Sequence, residues 1–224
     1  MHQSISRKIS IYLFLFFLLV SINNNSITNL KIPKVDTIEI TGLNFDESNE
    51  IKRIIEKSNL KNIFLINQTK IRQDIIKVNT IEELSIFKKY PSTIKIDIKK
   101  TELLAITKKN GLDYYIGSNG KLIKKNKSFS KLPYIFGNLN VEEFLILKKY
   151  IDMSNLKFNE IINFYFYKSK RWDIETNKGY LIKLSRDNVQ KNLDLFVRLQ
   201  NDGKFKNNSI IDFRQKDQII LDVQ

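Results

Sequence analysis

The chain has 224 residues and carries 38 Lys and Arg against 24 Asp and Glu, a formal charge of +14. It has no cysteine, and its single histidine is His2, which excludes disulfides, zinc–thiolate centres, cysteine nucleophiles and a workable Ser-His-Asp triad. Seven glycines are present and none forms a phosphate-cradling loop, so a soluble cytosolic enzyme is a poor starting point.

The basic excess is discounted by composition. There are 35 Ile, 31 Lys and 24 Asn, all residues with AT-rich codons, and the lysines are scattered over the whole chain rather than gathered into a stripe. Nucleic-acid binders concentrate their charge, so no nucleic-acid partner is expected.

The first element is an address. Arg7 and Lys8 precede an uncharged apolar run over 9–22. A positive flank stays on the cytoplasmic side, which puts the remainder of the chain outside. As a cleaved signal the run has the right core length but no A-x-A-like site after it. As an uncleaved anchor it is short, about 21 Å as a helix against a hydrocarbon core of about 30 Å. Extension through Ile27 gives an anchor over 9–27, a cytoplasmic tail over 1–8 and a tether over 28–34 that ends past Pro33. The absence of cysteine is compatible with a compartment outside the cytoplasm but does not require one.

A first module is predicted over 35–102. Residues 35–42 alternate, with Ile38 and Ile40 on one face, and close on Gly42. Asp46 or Ser48 is expected to cap a helix to about residue 58, with Ile51, Ile54 and Ile55 inward. Asn62 to Asn67 is an apolar link, and Asn67 or Thr69 starts a second helix with Ile71, Ile75 and Ile76 inside. Strands follow over 81–90 and 93–101, the latter with Ile94, Ile96 and Ile98 alternating with Lys95, Asp97 and Lys99. Pro91-Ser92 makes the corner.

A second module is predicted over 103–224. Strands are expected over 103–108, 114–116 and 121–124, with Asn119-Gly120 as a turn signal. A helix follows over 141–151, with Phe144, Leu145, Leu147 and Lys148 at helical spacings. Strands over 161–168, 172–176 and 180–185 come next, the last two joined by Asn177-Lys178-Gly179. Asp187 is expected to cap a helix to about residue 200, with Val189, Leu193, Phe196 and Val197 inward. Strands over 209–214 and 218–223 end the chain. The pattern is α+β, a mixed sheet with helices on one side.

No catalytic constellation emerges. Glu142 and Glu143 are adjacent, so a helix points them about 100° apart, and they read as favourable charge in a first turn. Asp212 and Asp222 fall on neighbouring predicted strands without the fixed partners that acid–base work needs. No enzyme activity, cofactor or metal is expected. The informative element is the last strand, Gln218-Ile219-Ile220-Leu221-Asp222-Val223, apolar and β-branched. Either it is internal or protected, or it leaves a row of backbone groups open for an incoming strand.

The order β-α-α-β-β over the first module resembles a POTRA domain. Ile38-x-Ile40-x-Gly42, Asn62-Ile63-Phe64, Pro91-Ser92-Thr93-Ile94-x-Ile96-x-Ile98, Leu132-Pro133-x-Ile135-x-Gly137 and Ile211-Asp212-Phe213-Arg214 together resemble the FtsQ/DivIB family of bacterial cell-division proteins from Val35 onward. The chain departs from that family at Lys100, Thr101 and Leu103, where Glu-Arg and a proline are usual, and at Gly117, where Asp often stands. The resemblance implies a single transmembrane helix, a POTRA domain and then the family's β-domain, in the inner membrane at the division septum. It implies FtsB/FtsL-like coiled-coil partners that add a β-segment to the terminal strand, with other division proteins meeting the POTRA domain. Carried over, the partner edge is Gln215, Ile219, Ile220, Leu221, Asp222 and Val223. Arg214 would pair a partner carboxylate, and Lys170 and Arg171, before Trp172, would meet an acidic segment. Trp172 is also a natural core residue. Two other readings remain open: a POTRA-bearing subunit of outer-membrane or secretion machinery, which should show several POTRA repeats or a barrel, and a secreted basic protein that binds an anionic polymer.

Overall fold

The computed structural model describes residues 3–22, 34–58, 60–125, 131–206, 209–215 and 218–223. Helix α1, Gln3–Ile22, precedes two modules with separate cores. Its side chains are described over 7–21, and the large apolar ones from Ile9 to Val20 are exposed and join neither core. Among the described residues no helix is long and apolar enough to cross a membrane. The tether expected over 28–34 lies outside the described residues apart from Lys34.

The first module consists of β1 (Thr37–Thr41), α2 (Phe45–Glu56), a 3-10 turn (Ile63–Leu65), α3 (Gln68–Ile75), β2 (Ile81–Lys89) and β3 (Thr93–Lys100). The sheet order is β1-β3-β2, with β1 parallel and β2 antiparallel to β3. The period-two pattern of β3 puts Ile94, Ile96 and Ile98 into the core, where they meet Ile51 and Ile55 of α2 and Ile71 and Ile75 of α3. The cap of α2 lies two residues before Asp46 and four before Ser48, the two caps expected from sequence. Asn44 caps the helix, because only from that position does Glu47 reach back: Asn44 Oδ1 accepts from the Glu47 N–H at 2.9 Å and Glu47 Oε2 accepts from the Asn44 N–H at 3.2 Å. Asn67 caps α3 by accepting from the Lys70 N–H at 3.0 Å.

The second module contains β4 (Leu103–Lys109), β5 (Leu112–Gly117), β6 (Leu122–Lys124), β7 (Tyr134–Phe136), α4 (Val141–Met153), a 3-10 turn (Phe158–Glu160), β8 (Ile161–Phe166), β9 (Trp172–Thr176), β10 (Leu181–Lys183), α5 (Val189–Asn201), β11 (Ser209–Asp212) and β12 (Ile220–Val223). These strands form one mixed sheet in the order β12-β11-β10-β9-β8-β7-β4-β5-β6. Phe144, Leu147 and Ile151 of α4 and Leu193 and Phe196 of α5 cluster with Ile135, Phe164, Trp172, Ile174, Ile182 and Ile211 of the sheet.

Ile76, expected inside, is 40% exposed at the end of α3, and two features of the second module also depart from the sequence reading. Strand β7 was not anticipated, and it sits centrally, parallel to both β4 and β8. Three residues are too short to display alternation. Gly137 ends it with φ +107, and a Cβ there would lie 2.1 Å from the Phe166 carbonyl oxygen, so the glycine lets two backbones approach. Helix α5 is not capped by Asp187. Its cap position is Asn188, with φ +62 and no side-chain capping bond, while the Asp187 carbonyl accepts from Ser185 Oγ.

The modules meet at the β5–β6 turn. Asn119 Nδ2 donates to the Asn79 and Ile81 carbonyls, each at 2.9 Å, and Asn79 Nδ2 donates to the Leu122 carbonyl at 2.9 Å. Ser118 bonds Thr101 Oγ1 and Glu82, and Lys121 Nζ reaches the Ile76 carbonyl. The backbone between the modules is thereby paired at a polar joint.

Candidate functional site

Strand β12 is the outermost strand of its sheet and pairs on one side only among the described residues, antiparallel to β11. The register is Ser209 with Val223, Ile210 with Asp222, Ile211 with Leu221 and Asp212 with Ile220. Because side chains alternate, Leu221 shares the helix-covered face with Ile211, and Ile220 and Asp222 share the open face with Asp212 and Ile210. Ile220 and Leu221 are each 49% exposed, while Ile219, just before the strand, packs partly against the core. Gln215 is exposed in the loop after β11. Four residues of apolar strand with one side unpaired form an edge that can template another strand. Its charge is Asp222, which points to the open face.

A charge network lies on that open face beside the edge. Across the strands, Asp173 of β9 stands opposite Lys183 of β10, and Lys183 opposite Asp212 of β11. Arg214 folds back on Asp212: its backbone N–H donates to Oδ1 at 2.9 Å, and its Nε lies 2.8 Å from both carboxylate oxygens. Those hydrogen bonds hold the Asp212 carboxyl below the usual range, and they hold the Arg214 guanidinium above its own. Asp173 is only 2% exposed. Burial pushes its carboxyl up, opposed by Arg171, whose Nε donates to Asp173 Oδ1 at 3.3 Å. The Arg171 guanidinium also stacks 4.2 Å over the Tyr167 ring, and burial beside Asp173 raises the Tyr167 hydroxyl. Farther along, Tyr165 donates to Glu175 Oε2 at 2.7 Å, and burial with that bond pushes it up to about 12.

The predicted site residues therefore divide. Arg214, Gln215 and 219–223 lie on or beside one edge, and Arg171, next to β9, lies on the open face three strands from β12, linked to Asp212 through Asp173 and Lys183. Lys170 stands apart. It is a left-handed turn residue with φ +59, and its Nζ pairs Glu143 Oε1 at 3.1 Å, at the start of α4. Trp172 is buried and packs against Phe144, Phe164 and Phe166. Sequence reading missed Tyr167, Asp173 and Lys183. An acid flanked by apolar residues, Trp172-Asp173-Ile174, was the available signal, but its partners come from other strands.

The arrangement offers backbone donors and acceptors, alternate apolar side chains and paired charges, which suits binding a polypeptide rather than making or breaking a bond. Residues 105–214 match the family described as "Cell division protein FtsQ/DivIB, C-terminal", and residues 34–100 match "POTRA domain, FtsQ-type". The first of these matches ends before β12. A cell division protein DivIB of Clostridium botulinum is 32% identical over 147 residues, 63% of this chain and 53% of that protein. A cell division protein FtsQ of Rickettsia bellii is 26% identical over 196 residues, 84% of this chain and 72% of that protein. The match thus spans about half the length of the clostridial relative. A solved extracytoplasmic domain of DivIB from Geobacillus stearothermophilus is similar at a TM-score of 0.33 and 13% identity, over 47% of this chain and 98% of that one, too distant to carry a structural argument.

Proposed function

The chain belongs to the FtsQ/DivIB family of cell division proteins, and from that premise we propose that it is a bitopic inner-membrane scaffold of the division machinery. Residues 9–27 anchor it, the tail 1–8 stays in the cytoplasm, and the POTRA domain and β-domain stand outside the membrane at the septum. The Arg7-Lys8 flank supports this topology, and so do the apolar side chains of α1, which find no partner in either core. The protein recruits FtsB/FtsL-like coiled-coil membrane proteins and links early septal components to late cell-wall synthesis. Its POTRA domain meets other division proteins.

The observation that carries the proposal is the one-sided pairing of β12. An incoming strand would satisfy the open N–H and C=O groups, Ile220 and Leu221 would contact its alternate side chains, and Arg171 and Arg214 would favour acidic residues on it. Both arginines already hold a carboxylate of their own chain, so a partner acid would share them rather than meet a bare charge.

Proline substitution tests the edge. Successive residues of a strand point their N–H groups to opposite sides, so of Leu221→Pro and Asp222→Pro one removes a donor facing β11 and the other removes a donor facing the open side. The outward substitution is expected to weaken partner binding at least tenfold in a titration with the partner's extracytoplasmic segment, with unchanged thermal unfolding. Unchanged affinity in both variants would contradict strand addition here.

A further inference from the structure

The POTRA module carries an exposed aromatic and aliphatic tip at the end from which the chain leads back to α1. Phe64 and Tyr90 stack with ring centroids 5.1 Å apart, and they are 58% and 57% exposed, with Leu65 beside Phe64 at 81%. The tip is built rather than frayed. Asn62 Oδ1 accepts from the Phe64 N–H at 2.8 Å, the Leu65 N–H donates to the Asn62 carbonyl at 3.1 Å, and Lys88 Nζ donates to the Phe64 carbonyl at 3.0 Å. The backbone of the turn is paired, so its apolar side chains are offered without orphaned peptide groups.

The position of the tip is fixed by the sheet. The Val35 N–H donates to the Leu60 carbonyl at 3.1 Å and the Asp36 N–H to the Ser92 carbonyl at 2.9 Å, so the chain enters β1 between the Phe64 turn and the Tyr90 turn. The joint with the β-domain, at Asn79, Ile81 and Thr101, is at the other end of β2 and β3. Eight residues of β3 separate the two ends by about 26 Å. In the anchored topology residues 28–34 connect the anchor to this tip, and a segment of that length reaches at most about 25 Å. Lys61, Lys88 and Lys89 lie within three residues of the tip side chains in sequence, and Lys34 precedes Val35; Lys88 holds the Phe64 carbonyl and Lys89 Nζ pairs Glu39 Oε1 at 3.6 Å, so the basic side chains are anchored beside the tip.

We propose that this tip is a membrane-interface contact: Phe64, Leu65 and Tyr90 enter the headgroup region of the bilayer that holds α1, and the lysines beside the tip meet anionic lipid. The proposal rests on the anchored topology given above. Aromatic rings with a polar end settle at the depth of lipid headgroups, lysine stems extend toward the charged surface, and a short tether supplies an effective concentration that makes a weak insertion count. The consequence is orientation. The POTRA module would stand upright on the membrane with its joint and β-domain held outward.

The test uses the full chain with Tyr90→Trp, reconstituted in vesicles of phosphatidylethanolamine and phosphatidylglycerol that contain lipids brominated near the headgroup end of the acyl chain. Buried Trp172 is the internal reference. The introduced indole is expected to be quenched several-fold more than Trp172, and adding Leu65→Asp, at a site exposed enough to leave folding intact, is expected to abolish the difference. An introduced indole quenched no more than Trp172 in protein that floats with the vesicles after an alkaline wash overturns the tip contact alone, and would leave a protein partner as the occupant of the tip. Failure to float overturns the anchor and the contact together.

Discussion

At the scale of single residues, Asp212 and Asp173 show how one sheet face shifts two buried acids in opposite directions. Arg214 hydrogen bonds depress the Asp212 carboxyl. A depressed folded value contributes stability that is present above the unfolded value of about 3.9 and lost as pH falls through the folded value. Burial raises the Asp173 carboxyl, so its contribution runs the other way: it favours the fold in acid and is lost as pH rises from the unfolded value through the raised one. Asp212→Asn is therefore expected to cost about 1 kcal/mol at neutral pH, discounted for the partly exposed Arg214, and to flatten the acid limb of stability. Urea midpoints recorded against pH check this, and an acid limb as steep as that of the unsubstituted chain would contradict the assignment. Of this network, the Asp212–Arg214 pair was missed although its members are only two residues apart: the sequence reading left Asp212 without a fixed partner and assigned Arg214 to a partner carboxylate, whereas Arg214 folds back on Asp212. The juxtaposition of Asp173, Lys183 and Asp212 was not readable, because it depends on the register of three strands.

At the scale of elements, alternation carried most of the reading. Ile94, Ile96 and Ile98 announced β3 because every second residue had to be buried, and the β-branched end of the chain announced β12. Strand β7 escaped because a three-residue central strand has no room for a period. Its signature was instead the Leu132-Pro133-x-Ile135-x-Gly137 motif, whose glycine permits the close approach to Phe166. Gly137→Ala is expected to destabilise the β-domain by about 2 kcal/mol or more, through positive φ and collision with backbone. Denaturant unfolding should show the loss in the β-domain and not in the POTRA module, since the two cores share no residue. The position of Asn44 was hidden for a different reason. Asp46 and Ser48 are equally good caps in isolation, and the capping box with Glu47 decides among them.

At the scale of the whole molecule, a helix with exposed apolar side chains, a POTRA module and a nine-stranded β-domain follow one another, with a polar joint between the last two. The joint at Asn79, Ser118 and Asn119 gives direction to the assembly: what orients the POTRA module also orients the β-domain and its terminal edge. In the proposed scaffold, localisation and presentation are one act, with the membrane at one end and the open side of β12 available to a partner. The direct measurement is backbone hydrogen exchange over residues 219–223, with and without the extracytoplasmic segment of an FtsB/FtsL-like partner. Addition of a strand predicts that the amides of β12 facing away from β11 change from freely exchanging to protected on binding, while those already bonded to β11 change little. A partner that binds while those outward amides go on exchanging at their free rate would contradict strand addition.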